Sequence, residues 1–416
     1  IRKSLVGSEM CIRDRTHTDL HERILEMIDS EGFPRIDEWC PGDPDIAPPS
    51  SIMNAIINPP RHVSQDIHQA IQQATKGEAL SEQQIVRLFS ARGDDFSAVV
   101  QSADQLRRKT NGDSVSFVVN RNINYTNICY FKCQFCAFSK GKLSENLRGR
   151  PYDLSDEEIQ RRTVEAWQRG ATEVCMQGGI HPEYTGDTYV HIVEVVKQAV
   201  PEMHVHAFSP LEVWQGAATL DVSLSDYLRR LQQAGLNTLP GTAAEILDDE
   251  VRAVICADKI NTQQWLDVMR AAHDLGFKTT ATIMYGHVEQ PVHWARHLMR
   301  VRALQEQTGG FTEFVPLPFV HMEAPMYLKG KARKGPTFRE AILMHAVARL
   351  ALHGKIDNIQ TSWVKMGHEG VKGCLNAGCN DLGGTLMNES ISRAAGTLHG
   401  EETSPQQMNQ IIRTLN

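Results

Sequence analysis

From about residue 114 onward the chain alternates short apolar runs with amphipathic stretches, and this rhythm narrows the folds open to it. The runs predicted as strands are 115–120 (VSFVVN), 173–177 (EVCMQ), 203–208 (MHVHAF), 236–239, 258–260, 278–284 (KTTATIM), 312–317 (TEFVPL) and 357–361. Helical periodicity falls between them, near 156–169, 187–199, 225–234, 245–255, 261–275, 291–308 and 337–353. Eight strands separated by seven helices predict an α/β fold, a (β/α)8 barrel of the TIM type. A doubly wound open sheet is the alternative, because periodicity carries no information about closure.

The barrel is expected over 114–365, with helical extensions on both sides. Residues 63–113 read as a helical N-terminal extension, in which Ser81 and Gln84 have the spacing of a capping box. Residues 366–416 read as a C-terminal loop and helical extension. Residues 16–62 hold one short helical pattern and then Pro-rich chain (CPGDPDIAPPSS), expected as a linker or the tail of a fused upstream half. Residues 1–15 (IRKSLVGSEMCIRDR) resemble a translated adapter-like prefix, and they are set aside from fold reasoning together with Cys11.

Composition excludes several classes of function. With a net charge of −7 and scattered Lys and Arg, no basic face for nucleic acid is expected. No apolar run reaches the length of a membrane span and no secretory signal is visible, so a cytoplasmic protein is predicted. Nine cysteines in 416 residues are too sparse for a disulfide scaffold.

Three of those cysteines crowd into NYTNICYFKCQFCAFS, where Cys129, Cys133 and Cys136 are spaced C-x3-C-x2-C. The segment directly follows the first predicted strand, at the barrel end where such folds place their sites. Thiolates are soft ligands for iron–sulfur clusters or zinc. A cubane has four irons, so three thiolates leave one iron open for the amino and carboxylate groups of S-adenosylmethionine. Reductive cleavage of that sulfonium yields a 5′-deoxyadenosyl radical. Structural zinc would need a fourth ligand, and no second C-x2-C pair exists. Cys374 and Cys379 form a C-x4-C pair, read as buried thiols.

The triad resembles the C-x3-C-x-Φ-C signature of the radical SAM superfamily, with Phe135 in the aromatic position that the resemblance puts near adenine. Gln177-Gly178-Gly179 resembles the glycine-rich turn that receives the methionine amino group, with Ile180 where Glu often follows. The stretch 282–289 resembles the later-strand motif against adenine and implicates Gly286 and Glu289. Met284 in that stretch reads equally as core, and His287 as a satisfied polar group. Glu245, in GTAAEIL, is either a contact to S-adenosylmethionine or a helix-start acid.

Within the superfamily, residues 63 to 413 resemble the family formed by the second subunit, or C-terminal half, of FO synthases. The phrases that carry this are MQGGIHPEYTG, HAFSPLEV, LPGTAAEIL, MYGHVE, EFVPLPFVHMEAP, GPTFRE and GCNDLGGTLMNESISRAAG. The resemblance implies a radical SAM transferase with a 4Fe-4S cluster. It would move the 4-hydroxybenzyl group of L-tyrosine to 5-amino-6-(D-ribitylamino)uracil on the way to the deazaflavin FO, precursor of coenzyme F-420. It also implies an electron donor and a first FO synthase subunit, separate or fused. Asn380, Asp381 and Thr385 are expected either in a loop closing over substrate or in a capping turn. Ser209, His321, Glu323 and Glu389 are further substrate contacts to consider, while Glu212 reads as a helix-start acid and His206 and His345 as structural. The alternatives are a menaquinone-pathway radical enzyme (aminofutalosine synthase or dehypoxanthine futalosine cyclase) and a non-catalytic iron–sulfur protein.

Overall fold

Every ladder between named strands runs parallel, the outcome expected when each strand returns through a crossover helix. The structure, a computed structural model, describes residues 18–139 and 150–414, so the 1–15 segment and Cys11 lie outside the described residues. The strands are β1 (Ser116–Val118), β2 (Asn120–Ile123), β3 (Glu173–Met176), β4 (His204–His206), β5 (Thr238–Leu239), β6 (Lys278–Tyr285), β7 (Phe311–Pro318), β8 (Asn358–Ile359) and β9 (Asp381–Gly384). β2 to β8 form one sheet in chain order, and β1 pairs with β9.

Two sets of hydrogen bonds join these sheets into a ring. On one side Asn380 N donates to Ile359 O at 3.1 Å and Thr361 N to Asp381 O at 2.9 Å. On the other, Thr385 N donates to Val118 O at 3.0 Å and Asn122 N to Met387 O at 3.0 Å. β1 and β2 are thus one ring position, β9 is the eighth, and a (β/α)8 barrel results. Its helices begin where the sequence caps them. Ser209, Asn261 and Thr337 each close a capping box, for Pro210–Thr219, Thr262–Asp274 and Phe338–Ala351. Ser81 and Gln84 also form their box, opening the helix Glu82–Phe89.

Five sequence expectations are corrected. The predicted strand 258–260 is a turn: the Ile260 carbonyl accepts from Arg252 Nε at 3.1 Å instead of from a neighbouring strand, and Lys259 is tied to Glu245. The eighth strand is β9, expected as a loop. Its glycines have little strand propensity, but a Cβ on Gly384 would sit 2.2 Å from Asn120 Oδ1, so β2 requires glycine there. The barrel therefore extends past 365, which falls inside the helix Trp363–Leu375 leading to β9. The helix predicted from 245 starts at Asp249, capped by Asp248. The described part of the expected 16–62 linker, residues 18–62, instead packs on the barrel, with Trp39 only 2% exposed and edge-on to Phe338 at 5.1 Å. Prolines there prevent regular structure without preventing burial.

Among the described residues no helix is long and apolar enough to cross a membrane.

Candidate active site

The loop after β2 carries the three cysteines and is clamped from its neighbours by backbone bonds. Tyr130 N donates to Ile180 O (3.2 Å), Gln134 N to Ile255 O (2.8 Å) and Met326 N to Gln134 O (2.8 Å). Lys132 N adds a bond to Asp258 Oδ2 at 2.8 Å. Cys129, Cys133 and Cys136 all line one cavity of about 260 Å3 at the C-terminal end of the barrel. Each of the eight ring positions contributes to its wall, from the triad loop to Ile391, Ser392 and Ala395 beyond β9. Burial pushes the Cys129 and Cys133 thiols up from their ordinary range.

Glycine is needed beside the triad for space. A Cβ on Gly179 would lie 2.2 Å from the Ile128 carbonyl oxygen, and one on Gly178 would lie 2.4 Å from the Tyr125 ring. Glu212 holds this turn from behind: it accepts from Gly178 N at 3.2 Å, from Ser209 N at 2.6 Å and from the Tyr125 hydroxyl. It is a capping-box acid, as expected, and it also lines the cavity.

On the next wall the loop after β5 is strained, with φ of 65° at Ala243 and 43° at Glu245. Met284 N, donating to Glu245 O at 2.8 Å, helps to hold that conformation. The Glu245 carboxylate accepts from Lys259 Nζ at 2.6 Å, and Lys259 stands 5.5 Å from the Phe135 ring centroid. Burial works against the Lys259 charge, but Glu245, Cys133 and Cys256 together outweigh it and raise the pKa. Thr242 adds a buried hydroxyl oxygen with no hydrogen-bond partner among the described residues.

The sequence-predicted residues divide cleanly. Cys129, Cys133, Cys136, Phe135, Gly178, Gly179 and Glu245 share the cavity, as do Met284, Ser209 and Glu212. Gly286 and Glu289 are not in its lining. Glu289 is fully buried and organises the turn after β6, accepting from His287 N at 2.9 Å, Trp294 Nε1 at 2.9 Å and Gly286 N. Burial opposes its charge, yet His287, Arg333 and those donors hold its pKa far below the ordinary range.

Asn380, Asp381 and Thr385 are not in the lining either. Asn380 Oδ1 accepts from Arg349 Nη2 at 2.6 Å, and Thr385 Oγ1 accepts from Asn120 N and donates to Asn120 O, both at 3.0 Å. Asp381 faces a different cavity, of about 370 Å3, at the barrel's other end, with Glu173, His204, His206 and Glu313. His345 contacts Cys374 Sγ at 3.6 Å. His321, Glu323 and Glu389 are outside the lining of the triad cavity. Sequence reasoning missed Thr242, Lys259 and Lys365. Thr242 carries only the signal of a polar residue just past a strand end, which is too common to single out, and Lys259 and Lys365 carry none, lying in the turn after the helix Asp249–Ile255 and in the helix Trp363–Leu375.

The donor set suits a cluster with an open iron: three soft thiols on a rigid loop, next to a glycine cradle, an orphaned hydroxyl and a Glu–Lys pair.

Comparison with known proteins agrees with this geometry. Residues 123–301 match the model of the radical SAM superfamily, and residues 308–414 match the CofH/MqnC C-terminal region. FO synthase of Nocardia farcinica is 50% identical over 361 residues, covering 86% of this chain and 41% of that protein. The chain thus spans about two-fifths of the length of the FO synthases it matches. The 5-amino-6-(D-ribitylamino)uracil–L-tyrosine 4-hydroxyphenyl transferase of Methanopyrus kandleri is 48% identical, over 76% of this chain and 84% of that one. Among solved structures, methylornithine synthase superposes with a TM-score of 0.62 at 18% identity, covering 83% of this chain and 95% of that one. The FeFe-hydrogenase maturase HydG from Carboxydothermus hydrogenoformans gives 0.61 at 14%, over 84% and 77%. At those identities the structural likeness speaks for the fold alone.

Proposed function

Because the chain belongs to the radical SAM superfamily, and within it to the family of 5-amino-6-(D-ribitylamino)uracil–L-tyrosine 4-hydroxyphenyl transferases, we propose that it moves the 4-hydroxybenzyl group of L-tyrosine to 5-amino-6-(D-ribitylamino)uracil. The observation that carries this reading is the placing of three thiols in a cavity to which all eight ring positions of a closed barrel contribute, mostly through the segments that follow their strands. A 4Fe-4S cluster with S-adenosylmethionine supplies, when bound, a 5′-deoxyadenosyl radical able to start cleavage of the tyrosine Cα–Cβ bond.

In this reading Cys129, Cys133 and Cys136 hold the cluster. Gly178 and Gly179 let backbone approach the methionyl group of S-adenosylmethionine, and Phe135 packs near its adenine. Glu245 and the Thr242 hydroxyl are polar contacts on the same wall. Gly286 and Glu289 act behind it, fixing the turn that follows Met284. The largely apolar lining disfavours water around a reactive fragment, which protects it from quenching. Asn380, Asp381 and Thr385 serve barrel closure in place of substrate contact. An electron donor and a first FO synthase subunit, fused or separate, complete the pathway step, and a reducing cytoplasm suits the free thiols.

The test is anaerobic reconstitution with iron, sulfide, dithionite and S-adenosylmethionine, followed by incubation with tyrosine and the ribitylaminouracil. The expected products are the 4-hydroxybenzyl adduct and 2-iminoacetate, identified by mass. Turnover of futalosine derivatives instead would favour the menaquinone-pathway enzymes. Absence of 5′-deoxyadenosine from cluster-loaded protein would favour a non-catalytic iron–sulfur protein.

A further inference from the structure

One wall of the cavity has no assignment in the reading above. Lys365 stands on it, in the first turn of the helix Trp363–Leu375, and lines the cavity with Phe319, Val320 and Ser392. Its backbone is fixed in place: the Lys365 carbonyl accepts from Gly42 N at 2.8 Å. The helix breaks two residues later at Gly367, where φ is 66° and a Cβ would meet the His399 ring at 2.6 Å.

Charge balance separates Lys259 from Lys365. Lys259 is neutralised by Glu245 at 2.6 Å. Among the described residues no carboxylate lies within ion-pair distance of Lys365, whose ammonium donates to the Ser392 hydroxyl at 2.7 Å. Glu389 acts on it electrostatically, but the Glu389 oxygens accept from Ser392 N at 2.7 Å and Arg393 N at 3.2 Å. Glu212 is already bonded to Tyr125, Gly178 and Ser209. Burial lowers the Lys365 pKa, with Glu389 only partly opposing it. An ammonium held in a mostly buried wall without a counter-charge is costly, and an arriving anion offsets that cost.

We infer that Lys365, together with the Ser392 hydroxyl, anchors the α-carboxylate of the amino-acid substrate. The inference rests on the transferase reading and adds a specificity determinant to it. Tyrosine brings a carboxylate, whereas the ribitylaminouracil brings none. S-adenosylmethionine also carries one, but the resemblance directs its methionyl group to the triad and the Gly178–Gly179 turn.

The experiment uses the anaerobically reconstituted protein and its Lys365→Met and Lys365→Arg variants. Tyrosine-dependent 5′-deoxyadenosine formation gives KM for tyrosine, and equilibrium dialysis gives the binding of labelled tyrosine and of S-adenosylmethionine separately. Loss of one charge-assisted contact should raise the tyrosine KM and Kd about 10- to 100-fold in Lys365→Met. Lys365→Arg should stay within several-fold of wild type, and the Kd for S-adenosylmethionine should not change. In the wild type, which requires no variant to fold, 3-(4-hydroxyphenyl)propanoate should compete with tyrosine and tyramine should not. An unchanged tyrosine Kd in Lys365→Met, effective competition by tyramine, or a loss confined to S-adenosylmethionine overturns the anchor while wild-type turnover stands. A loaded wild type that makes no 5′-deoxyadenosine with tyrosine overturns the transferase reading itself.

Discussion

Single atoms decide much at this site. Gly179 lies against the triad loop so closely that an alanine Cβ would be 2.2 Å from the Ile128 carbonyl oxygen and 3.0 Å from Cys129 Cβ. The loop is clamped on its other sides, so it must move as a body. Displacement of reacting groups by about 1 Å can cost on the order of 100-fold in rate. Gly179→Ala should therefore fold, lose iron on reconstitution and lose product formation by about that factor; wild-type iron content by absorption and chemical assay would count against it. His273 makes a prediction about acid. Its ring nitrogens bond Thr308 Oγ1 at 2.6 Å and Thr279 Oγ1 at 2.7 Å, and burial depresses its pKa to about 4. The unfolded chain binds a proton near 6.5 that the native state refuses, so stability is full above 6.5 and falls as pH drops towards 4. The loss is at most about 3 kcal/mol. In His273→Gln, thermal melts should lack this part of the decline; identical pH profiles for the two proteins would refute it.

Elements show which parts of the fold a sequence can announce. The triad was legible because its three ligands are contiguous and their chemistry is rare. β6 and β7 were legible because eight-residue runs with β-branched and aromatic residues report their own conformation. β9 was hidden because its sequence, DLGG, is chosen for closeness to Asn120 and not for strand propensity. The false strand at 258–260 arose because a short run cannot reveal that its carbonyl is taken by Arg252. Lys259 and Lys365 could not be found by pattern, since each has meaning only against residues distant in the chain. Thr385 tests this contrast between loop and strand. Its hydroxyl bonds both backbone groups of Asn120 at 3.0 Å, at the seam where the ring closes. Thr385→Val strands the buried Asn120 N–H, while Asn120 O keeps its bond from Met387 N at 3.2 Å, and should cost about 1–3 kcal/mol in urea unfolding. KM for tyrosine should be unchanged; a raised KM with unchanged stability would restore Thr385 to the substrate site.

At the scale of the whole molecule, residues 18–62 are part of the barrel's support and not a tether. They converge on the N-terminal end of the helix Phe338–Ala351, whose residues are all buried. Ser30 N donates to Glu340 Oε1 at 2.8 Å, and Arg35 Nη1 and Nη2 donate to Gly335 O at 2.8 Å and Trp39 O at 2.7 Å. Arg339 lies 3.5 Å from Asp29 and 3.3 Å from Glu31. Trp39 closes the contact over Phe338. A free linker could be deleted at little cost, because it buries nothing. Here deletion would uncover Phe338, take Ser30 from Glu340 and take both carboxylates from Arg339, while leaving the two charges on an apolar helix. The same segment supplies Gly42, which bonds the Lys365 carbonyl, so the effect should reach the cavity. Trp39→Ala is expected to lower unfolding stability by about 3–5 kcal/mol, as for other buried large aromatics. Under mild proteolysis, residues 18–62 should be cut no faster than the barrel opens as a whole. Rapid cleavage there, with melting temperature and tyrosine binding preserved in the remainder, would show that the packing holds nothing and that the linker reading was right.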